Sequence, residues 1–270
     1  MPTPLYIAAN VHPAYELRYG WMGWLGTSGL APESLDAATS AAAAGWKADG
    51  LRMLEQRLSG NMVQLVLSAK PHVDPVLLAG RVKGRLQHAL RNMACAGDFS
   101  RKLAVRSVGH NHRADVERYI EQQAVKATVA DPALRHRLAK YSVTNPAVDL
   151  SLPTETRSGR YWYNLHLVLV NEERYQRSDD QWLGKILERC FAIGRKKGHA
   201  ISRLSVMPDH FHMALRGNVA HSPQEIVLAF QNNLAYALGS LRIFQATYYV
   251  ATFGEYDMQA VRHGDGASPA

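Results

Sequence analysis

The sequence is poor in cysteine and in long apolar runs. Its 270 residues include only two cysteines, Cys95 and Cys190, so it offers neither a disulfide framework nor a zinc site built from cysteines. No run approaches the roughly 18 apolar residues that a membrane helix needs. The N-terminus also lacks a basic segment followed by an apolar core. We therefore expect a soluble, cytoplasmic protein without a secretory signal.

Acidic residues are also scarce relative to basic ones, and the formal net charge is +8. Ten lysines and arginines lie between Arg81 and Lys126, against four acids in the same segment, and a shorter basic cluster spans Arg195 to Lys197. A solvated helix face would explain either run. The first run, however, mixes cations with hydrogen-bonding groups such as Gln87 and Asn92, which favours a phosphate-rich partner.

The order of predicted elements occurs twice along the chain. The first copy has strands at Tyr15–Leu25, Met62–Leu67 and Lys102–Val108, and helices at Ala37–Leu58, Pro75 to about Arg91 and from near Ala114. The second copy has strands at Tyr161–Val170, Ile201–Met207, His210–Leu215 and Tyr248–Thr252, and helices at Gln181–Lys197, Pro223 to about Leu238 and Met258–Arg262. Sequence matching supports a duplication, because Asn61–Leu90 aligns with Asp209–Leu238 without a gap at an offset of 148.

The duplication predicts two tandem domains. We expect a first domain at residues 1–125, a linker at 126–159, a second domain at 160–263 and a flexible tail at 264–270. The linker should hold one short helix, with Asp131 as its N-cap and Pro132 at its first position. Breakers such as Asn145-Pro146 and Leu152-Pro153 argue against compact structure in the rest of it.

The motif with the most chemical content is Met207-Pro208-Asp209-His210-Phe211-His212. Alternate side chains of a strand share a face, so His210 and His212 point the same way, about 7 Å apart. Two adjacent imidazoles can chelate one divalent ion. A bare His-x-His is more often an ordinary half-exposed strand pair, but the Met-Pro-Asp lead-in and the Pro223 helix favour a metal site here.

These residues resemble the single-tyrosine HUH transposases, particularly the REP-associated and IS200-like tyrosine transposases of bacteria. The hallmark of that family is a Met-Pro-Asn-His-hydrophobic-His strand, followed by a polar helix and a helix that bears a nucleophilic tyrosine. Asp209 replaces the usual Asn. The resemblance covers about Tyr161 to Arg262, and more weakly Tyr15 to Gln123.

The resemblance implies an α+β fold of two tandem ferredoxin-like domains, each an antiparallel sheet with helices on one face, that together form a pseudo-dimer. It implies a bacterial, nucleoid-associated enzyme that binds single-stranded or hairpin DNA, with RNA as a further possibility. Mg²⁺ or Mn²⁺ would be held by the histidines and a polar residue of the tyrosine helix. The tyrosine would attack a phosphodiester to leave a 5′-phosphotyrosine and a free 3′-OH.

Mapped onto this chain, the family roles are divided between the repeats. The second repeat has His210 and His212, but Gly264 stands where its tyrosine would be. The first repeat has Tyr119 and, at i+4, Gln123, but Met62 and Gln64 stand where its histidines would be. The sequence therefore predicts one composite site in which Tyr119 is the nucleophile and His210, His212 and Gln123 bind the metal.

Alternatives remain open at this point. Tyr256 is the fallback nucleophile, ahead of Tyr248 and Tyr249, and Tyr119 could instead be an ordinary helix aromatic. The DNA strand would contact basic residues of both repeats, and Trp21, Trp24 or Trp162 could stack bases. The predicted nucleic-acid contacts are Arg81, Lys83, Arg85, Arg91, Arg101, Lys102, Arg106, Arg195, Lys196 and Lys197. The competing functions are an inactive, domesticated hairpin-binding module in a larger nucleoprotein complex and, with least support, a small-molecule metalloenzyme.

Overall fold

The computed structural model describes residues 3–26, 29–93, 95, 98–126, 132–239 and 242–254. Within these residues the chain forms two six-stranded sheets, and each sheet has its own pair of long helices. This arrangement confirms the predicted α+β fold of two tandem domains. No helix in the described part is long and apolar enough to cross a membrane.

The first sheet gathers six strands, most of them from the first repeat. In spatial order they are β3 (Leu51–Ser59), β4 (Met62–Ala69), β2 (Arg18–Leu25), β5 (Phe99–Val108), β8 (Gly159–Trp162) and β7 (Thr154–Thr156). The strands of the second sheet, in spatial order, are β6 (Ser142–Thr144), β10 (Ala200–Val206), β11 (His210–Arg216), β9 (Asn164–Asn171), β12 (Phe244–Thr252) and β1 (His12–Glu16). The five strands from β10 to β1 follow the same plan as those from β3 to β8, whereas β6 and β7 are additional strands at opposite edges.

Each sheet buries one apolar face beneath two helices. The first sheet is covered by α1 (Pro32–Ala48) and α2 (Pro75–Asn92), and the second by α6 (Asp180–Lys197) and α7 (Pro223–Leu238). Capping explains where three of these helices begin: the side chains of Asp74, Asp179 and Ser222 each accept a hydrogen bond from a backbone N–H of the first turn. Three short α-helices and one 3-10 helix complete the described part: α3 (Arg113–Glu121), α4 (Gln123–Lys126), α5 (Pro132–Ala139) and the 3-10 helix Glu172–Arg174.

The repeats exchange their first strands. β1 lies in the second sheet, parallel to β12, and the chain then crosses at Leu17 into the first sheet as β2. In the same way, β8 lies in the first sheet, parallel to β5, and the chain crosses at Tyr163 into the second sheet as β9. These two parallel pairs interrupt sheets that are otherwise antiparallel, and they bind the repeats to each other through backbone hydrogen bonds.

Matching contacts hold the two crossings in place. The Thr252 hydroxyl accepts the N–H of Arg18 at 2.8 Å, and the Ser107 hydroxyl accepts the N–H of Asn164 at 3.0 Å. Glycine is required beside them, because a Cβ on Gly254, whose φ is +144°, would lie 2.7 Å from the carbonyl oxygen of Ser107. The equivalent Gly109 lies equally tightly against the Thr252 backbone.

Strand register reproduces the duplication. In the first sheet Trp24 pairs with Met62 and Met22 with Gln64. In the second sheet Val170 pairs with His210 and Val168 with His212. Met62 and Gln64 therefore occupy the positions that His210 and His212 occupy in the second sheet, as the offset of 148 predicts.

Four local predictions were wrong. The strands predicted at Tyr15–Leu25 and Tyr161–Val170 each divide into two, because the chain crosses between the sheets at Leu17 and at Tyr163. The helix predicted over Ala37–Leu58 ends at Ala48, because Gly50 takes a left-handed φ of +79° and the chain continues as β3. The segment predicted as a linker is more ordered than its breakers suggested. It adds β6 to the edge of the second sheet and β7 to the edge of the first, and it buries Leu138 and Leu150. Asp131 lies outside the described residues.

Candidate active site

His210 and His212 lie on β11 and share one face of the second sheet. Strand pairing puts His166 of β9 and Tyr249 of β12 on the same face. The alternate residues of β11, Phe211 and Met213, are fully buried on the opposite face with α6 and α7. Strict alternation along an apolar strand is thus what presents the imidazoles away from the main core.

Helix α3 of the first repeat covers this histidine face. Its apolar residues Val116 and Ile120 are buried in a small cluster with Leu150, Ala214 and Phe253. Residues of the first repeat, the linker segment and the second repeat all contribute to this cluster. The tyrosine helix is therefore docked on the other repeat's sheet by a hydrophobic contact of its own.

Ion pairs fix the orientation of α3. Arg203 of β10 donates from Nε to Glu121 at 2.5 Å, and its guanidinium lies 3.6 Å from Glu117. Arg203 and Glu117 expose only 18% and 12% of their side chains, so this pairing is largely shielded from solvent. At the start of the helix, Arg113 lies 3.5 Å from Asp149.

Docking in this orientation places Tyr119 beside the histidines. The ring centre of Tyr119 lies 5.4 Å from that of His212 and 6.1 Å from that of His166, edge to face in both cases. Tyr119 remains 42% exposed, and the Nζ of Lys126 lies 5.3 Å from its ring centre. The phenol is accordingly open to a large substrate on one side, with a cation near the same ring.

The three histidines form a connected group. Nε2 of His166 lies 3.1 Å from Nδ1 of His212, with the rings stacked, and Nδ1 of His210 lies 2.6 Å from the Asp209 carboxylate. Burial lowers the pKa of His212 to about 2, with smaller effects from His166 and His210, and burial lowers the pKa of His166 to about 4. Both buried imidazoles are therefore neutral at physiological pH.

This arrangement supplies two of the ligands that a divalent cation would need. Nδ1 of His210 and Nδ1 of His212 both have partners, so Nε2 is the nitrogen that each ring can offer to a metal. Over the residues that the structure describes, no three His, Cys, Asp or Glu side chains form a metal-binding group. A cation here would need amide, water or phosphate oxygens to complete its coordination.

Gln123 is the predicted source of the amide oxygen. It does not continue the tyrosine helix, because α3 ends at Glu121 and Gln123 begins α4. Its side chain is nearly buried and turns back, and its Nε2 donates to the Tyr119 carbonyl at 3.0 Å. That hydrogen bond uses the amide nitrogen and leaves the oxygen as the atom that could bind a metal.

The other candidate nucleophiles occupy different positions. Tyr248 packs in the core, where burial raises the pKa of its phenol to about 12. Tyr249 is on the histidine face, with its ring centre 5.8 Å from that of His166. Tyr256, the fallback nucleophile, lies outside the described residues, as do the predicted Met258–Arg262 helix and residues 264–270.

Many of the predicted nucleic-acid contacts in the first repeat are already engaged within the protein. Arg81 and Arg85 pair with Asp49, and Arg91 pairs with Asp98. The Lys83 ammonium donates to the Ser100 carbonyl at 2.7 Å. These interactions account for much of the basic segment as intramolecular charge pairing.

The remaining candidates differ in their surroundings. Arg101 and Lys102 are exposed on β5, and Arg195, Lys196 and Lys197 are exposed at the end of α6. The Arg106 guanidinium stacks 4.2 Å from the Trp162 ring. Trp21 is fully buried against Phe99, so it cannot stack a base, whereas Trp24 keeps part of its surface.

Sequence reasoning missed two residues of this site. His166 interrupts the apolar run Leu165-His166-Leu167 at a position that strand alternation assigns to the face of His212, so its pattern was readable. Lys126 was counted only as part of the basic segment. Its position beside Tyr119 depends on the interruption of the helix between α3 and α4, which no pattern in the sequence indicates.

Comparison with known proteins assigns this region. A family model described as "Transposase IS200 like" matches residues 160–263. The match lies within the second repeat and covers less than half of the chain. The match supports a transposase-like, DNA-processing function for this part of the chain, and it agrees with the family resemblance predicted from the His-Phe-His motif.

Two solved structures are similar to part of this chain. One is a putative transposase from Deinococcus radiodurans R1, 20% identical, with 37% of this chain and 85% of that chain covered and a TM-score of 0.32. The other is a REP-associated tyrosine transposase bound to a REP hairpin, 13% identical, with 37% and 61% covered and a TM-score of 0.31. This chain thus spans less than two thirds of the second of these. No curated protein matches the chain.

Proposed function

We propose that this protein is a metal-dependent single-stranded DNA endonuclease and strand transferase whose one active site is built from both repeats. The observation that carries the proposal is the 5.4 Å separation of the Tyr119 and His212 rings, which belong to different repeats. Each repeat retains the group that the other lacks. Because α3 is docked on the second sheet, the group from one repeat lies beside the groups from the other.

Tyr119 acts as the nucleophile in this proposal. Its phenolic oxygen attacks the scissile phosphorus and forms the Tyr119–phosphate bond, and the bond from phosphorus to the 3′ oxygen breaks. The phenol gives up its proton, and the departing oxygen takes one up as a free 3′-OH. Because one phosphodiester replaces another, attack by a 3′-OH can reverse the step and join a new strand.

The surrounding side chains bind and orient the phosphate. His210 and His212, with the amide oxygen of Gln123, would hold Mg²⁺ or Mn²⁺. When bound, such a cation polarises a phosphate oxygen and offsets the negative charge that develops in the transition state. The Asp209 carboxylate and His166 fix the ring orientations through their hydrogen bonds to the Nδ1 atoms. Lys126 offers a further positive charge beside the attacking phenol.

The deciding experiment is covalent trapping. The full chain is incubated with Mn²⁺ and a 5′- or 3′-labelled hairpin oligonucleotide that has single-stranded flanks, and a denaturing gel reveals any protein–DNA adduct. We expect an adduct that retains the DNA on the 3′ side of the break, and we expect Tyr119→Phe to abolish it. Tyr175→Phe is the matched control, because Tyr175 is 68% exposed outside the site.

The competing function is a hairpin-binding module without catalysis. The loss of both histidine positions in the first repeat favours it, since decay of one site is what a domesticated protein would show. Tight hairpin binding with no adduct from the unmodified protein would establish this alternative. An adduct that survives Tyr119→Phe but disappears in Tyr256→Phe would instead move the nucleophile to the fallback position.

A further inference from the structure

A basic groove lies on the side of the second sheet that faces away from the histidines. It runs between α6 and α7, which cover the apolar face of the sheet, and it measures about 600 Å³. The sheet separates it from Tyr119, so it is not part of the composite site. It is lined by Arg189, Ala192, Ile193, Lys196, Lys197, Asn233, Tyr236 and Ala237.

The charged side chains that line the groove are all positive. None of the lining residues is acidic, and three of them are cations. Among the described residues, no acidic side chain forms an ion pair with Arg189, Lys196 or Lys197, in contrast to the paired arginines of α2. Tyr236 stands among these cations with 73% of its surface exposed. Unpaired cations beside an exposed aromatic ring suit a phosphate backbone with an unstacked base.

The first repeat shows what the same groove looks like when it is closed. At the offset of 148, Lys197 corresponds to Asp49, Asn233 to Arg85 and Tyr236 to His88. Arg85 donates from Nε to Asp49 at 2.6 Å and lies across α1, where a Cβ on Gly45 would come within 2.7 Å of the Arg85 Cζ. An internal ion pair therefore fills this groove in the first repeat, and the second repeat leaves it open.

We propose that the α6–α7 groove binds single-stranded DNA without sequence preference, with Arg189, Lys196 and Lys197 on the phosphates and Tyr236 stacked on a base. The site extends the proposed function, on which it rests for its ligand, by holding a flanking strand on the face opposite the chemistry. It needs no metal and no cleavage. Binding can therefore be measured independently of whether Tyr119 is a nucleophile.

The test is fluorescence anisotropy of a labelled oligothymidylate of roughly 12 nucleotides, titrated with the full chain in EDTA. We expect Lys196→Glu to weaken binding by about tenfold and to reduce the slope of log affinity against log salt by roughly 0.7 for each phosphate that the variant no longer neutralises. Lys140→Glu is the matched control, because it makes the same charge change at an exposed position next to another helix. It should bind like the unmodified protein.

Substitutions of Tyr236 provide a second, independent test of the groove. Tyr236→Ala should weaken binding roughly fivefold or more, whereas Tyr236→Phe should preserve it because the ring still stacks. Equal affinities for Lys196→Glu and Lys140→Glu, or undiminished binding by Tyr236→Ala, would overturn the proposal. Because no divalent cation is present, failure of the covalent trapping experiment would leave these measurements unaffected, and the two proposals fail separately.

Discussion

The two sheets share the order of five strands but present different chemistry on equivalent faces. In the first sheet Met62, Gln64 and Gly20 occupy the positions of His210, His212 and His166. Gln64 is fully buried, and its amide nitrogen lies 3.7 Å from the sulfur of Met22. Thioether sulfur is a poor ligand for a hard cation such as Mg²⁺. The first face therefore lacks the means to hold one.

Under the proposed function, the difference shows how a duplicated fold can divide one site between its copies. The first repeat contributes Tyr119 on α3, and the second contributes the imidazoles and Arg203, which anchors α3. The exchange of β1 and β8 keeps the two parts of such a site together, because backbone hydrogen bonds join the two repeats. Neither repeat has to retain a complete set of catalytic groups.

The largest expected effect comes from making the second sheet resemble the first. In His212→Gln the second repeat receives the residue of the first, and one of the metal ligands that we propose is removed. Metal catalysis contributes several kcal/mol, so adduct formation with Mn²⁺ should fall by about a thousandfold or more. Rates from a quenched time course measure it.

The reciprocal change, Gln64→His, tests whether the comparison is complete. It should leave adduct formation at the level of the unmodified protein, because Met62 and Gly264 still stand where the other groups would be needed. Two adducts per chain would show that the first face is more competent than its residues indicate. Thermal unfolding of both variants shows whether the fold persists.

The next prediction concerns stability at low pH and the buried His199, a position at which the repeats differ. His199 corresponds to Leu51, and burial, with the charges of His221 and Lys197, lowers the pKa of His199 to about 4. Because the unfolded chain binds this proton more readily, stability is complete above about pH 6.5 and is lost as the pH falls towards 4. The loss should reach at most about 3 kcal/mol.

Denaturant unfolding at several pH values measures this loss. In His199→Leu the dependence on pH between 6.5 and 4 should flatten. The variant should also be less stable at neutral pH, because the N–H of Asn218 loses its 3.0 Å bond to His199 Nδ1. An unchanged slope in the variant would assign the acid sensitivity to other groups.

A smaller effect is expected from His166, the histidine that Gly20 replaces in the first sheet. His166→Ala removes the group 3.1 Å from His212 Nδ1, and removal of such a partner typically costs roughly 10- to 100-fold in metal affinity or activity. Mn²⁺ titration of the adduct yield should show a raised half-saturating concentration. His166→Gln, which retains a hydrogen-bonding group, should recover part of it. A lowered rate with unchanged Mn²⁺ dependence would contradict this positioning role.

The sequence predicted the second repeat better than the first. The helix Pro223–Leu238 and the strand that begins at His210 were placed correctly, because a capping Ser, a leading Pro and strict alternation mark them. In the first repeat, Leu51, Leu54 and Leu58 have a spacing that suits a helix, but they belong to β3. Pairing with β4 overrode that local pattern, and a single sequence does not show such pairing.

The candidate site was predictable where residues are close in the sequence and not where the arrangement depends on docking. The family resemblance of the His210–His212 strand, mapped through the repeat, led to the prediction of Tyr119. Arg203, which anchors α3, lies 82 positions along the chain from its partner Glu121, and no local pattern indicates the pair. The strand exchange was also unpredicted, because the predicted strand Tyr15–Leu25 joined the last two residues of β1 to β2.

The smallest effect we expect compares two arginine–carboxylate pairs, one between the repeats and one within the first. Arg203→Ala leaves the shielded Glu117 with only the more distant Arg113, at 3.9 Å, which should cost about 1–2 kcal/mol. The variant should also loosen α3, so that adduct formation falls together with hydrogen-exchange protection over residues 113–121. Arg91→Ala breaks a pair with Asp98 whose side chains are 60% and 70% exposed, and such pairs contribute about 0–1 kcal/mol. Equal losses of stability, with α3 protected from exchange in both variants, would contradict this prediction. In that case the apolar contacts of Val116 and Ile120 hold α3 on the second sheet, and the charge pairs between the repeats only orient the helix.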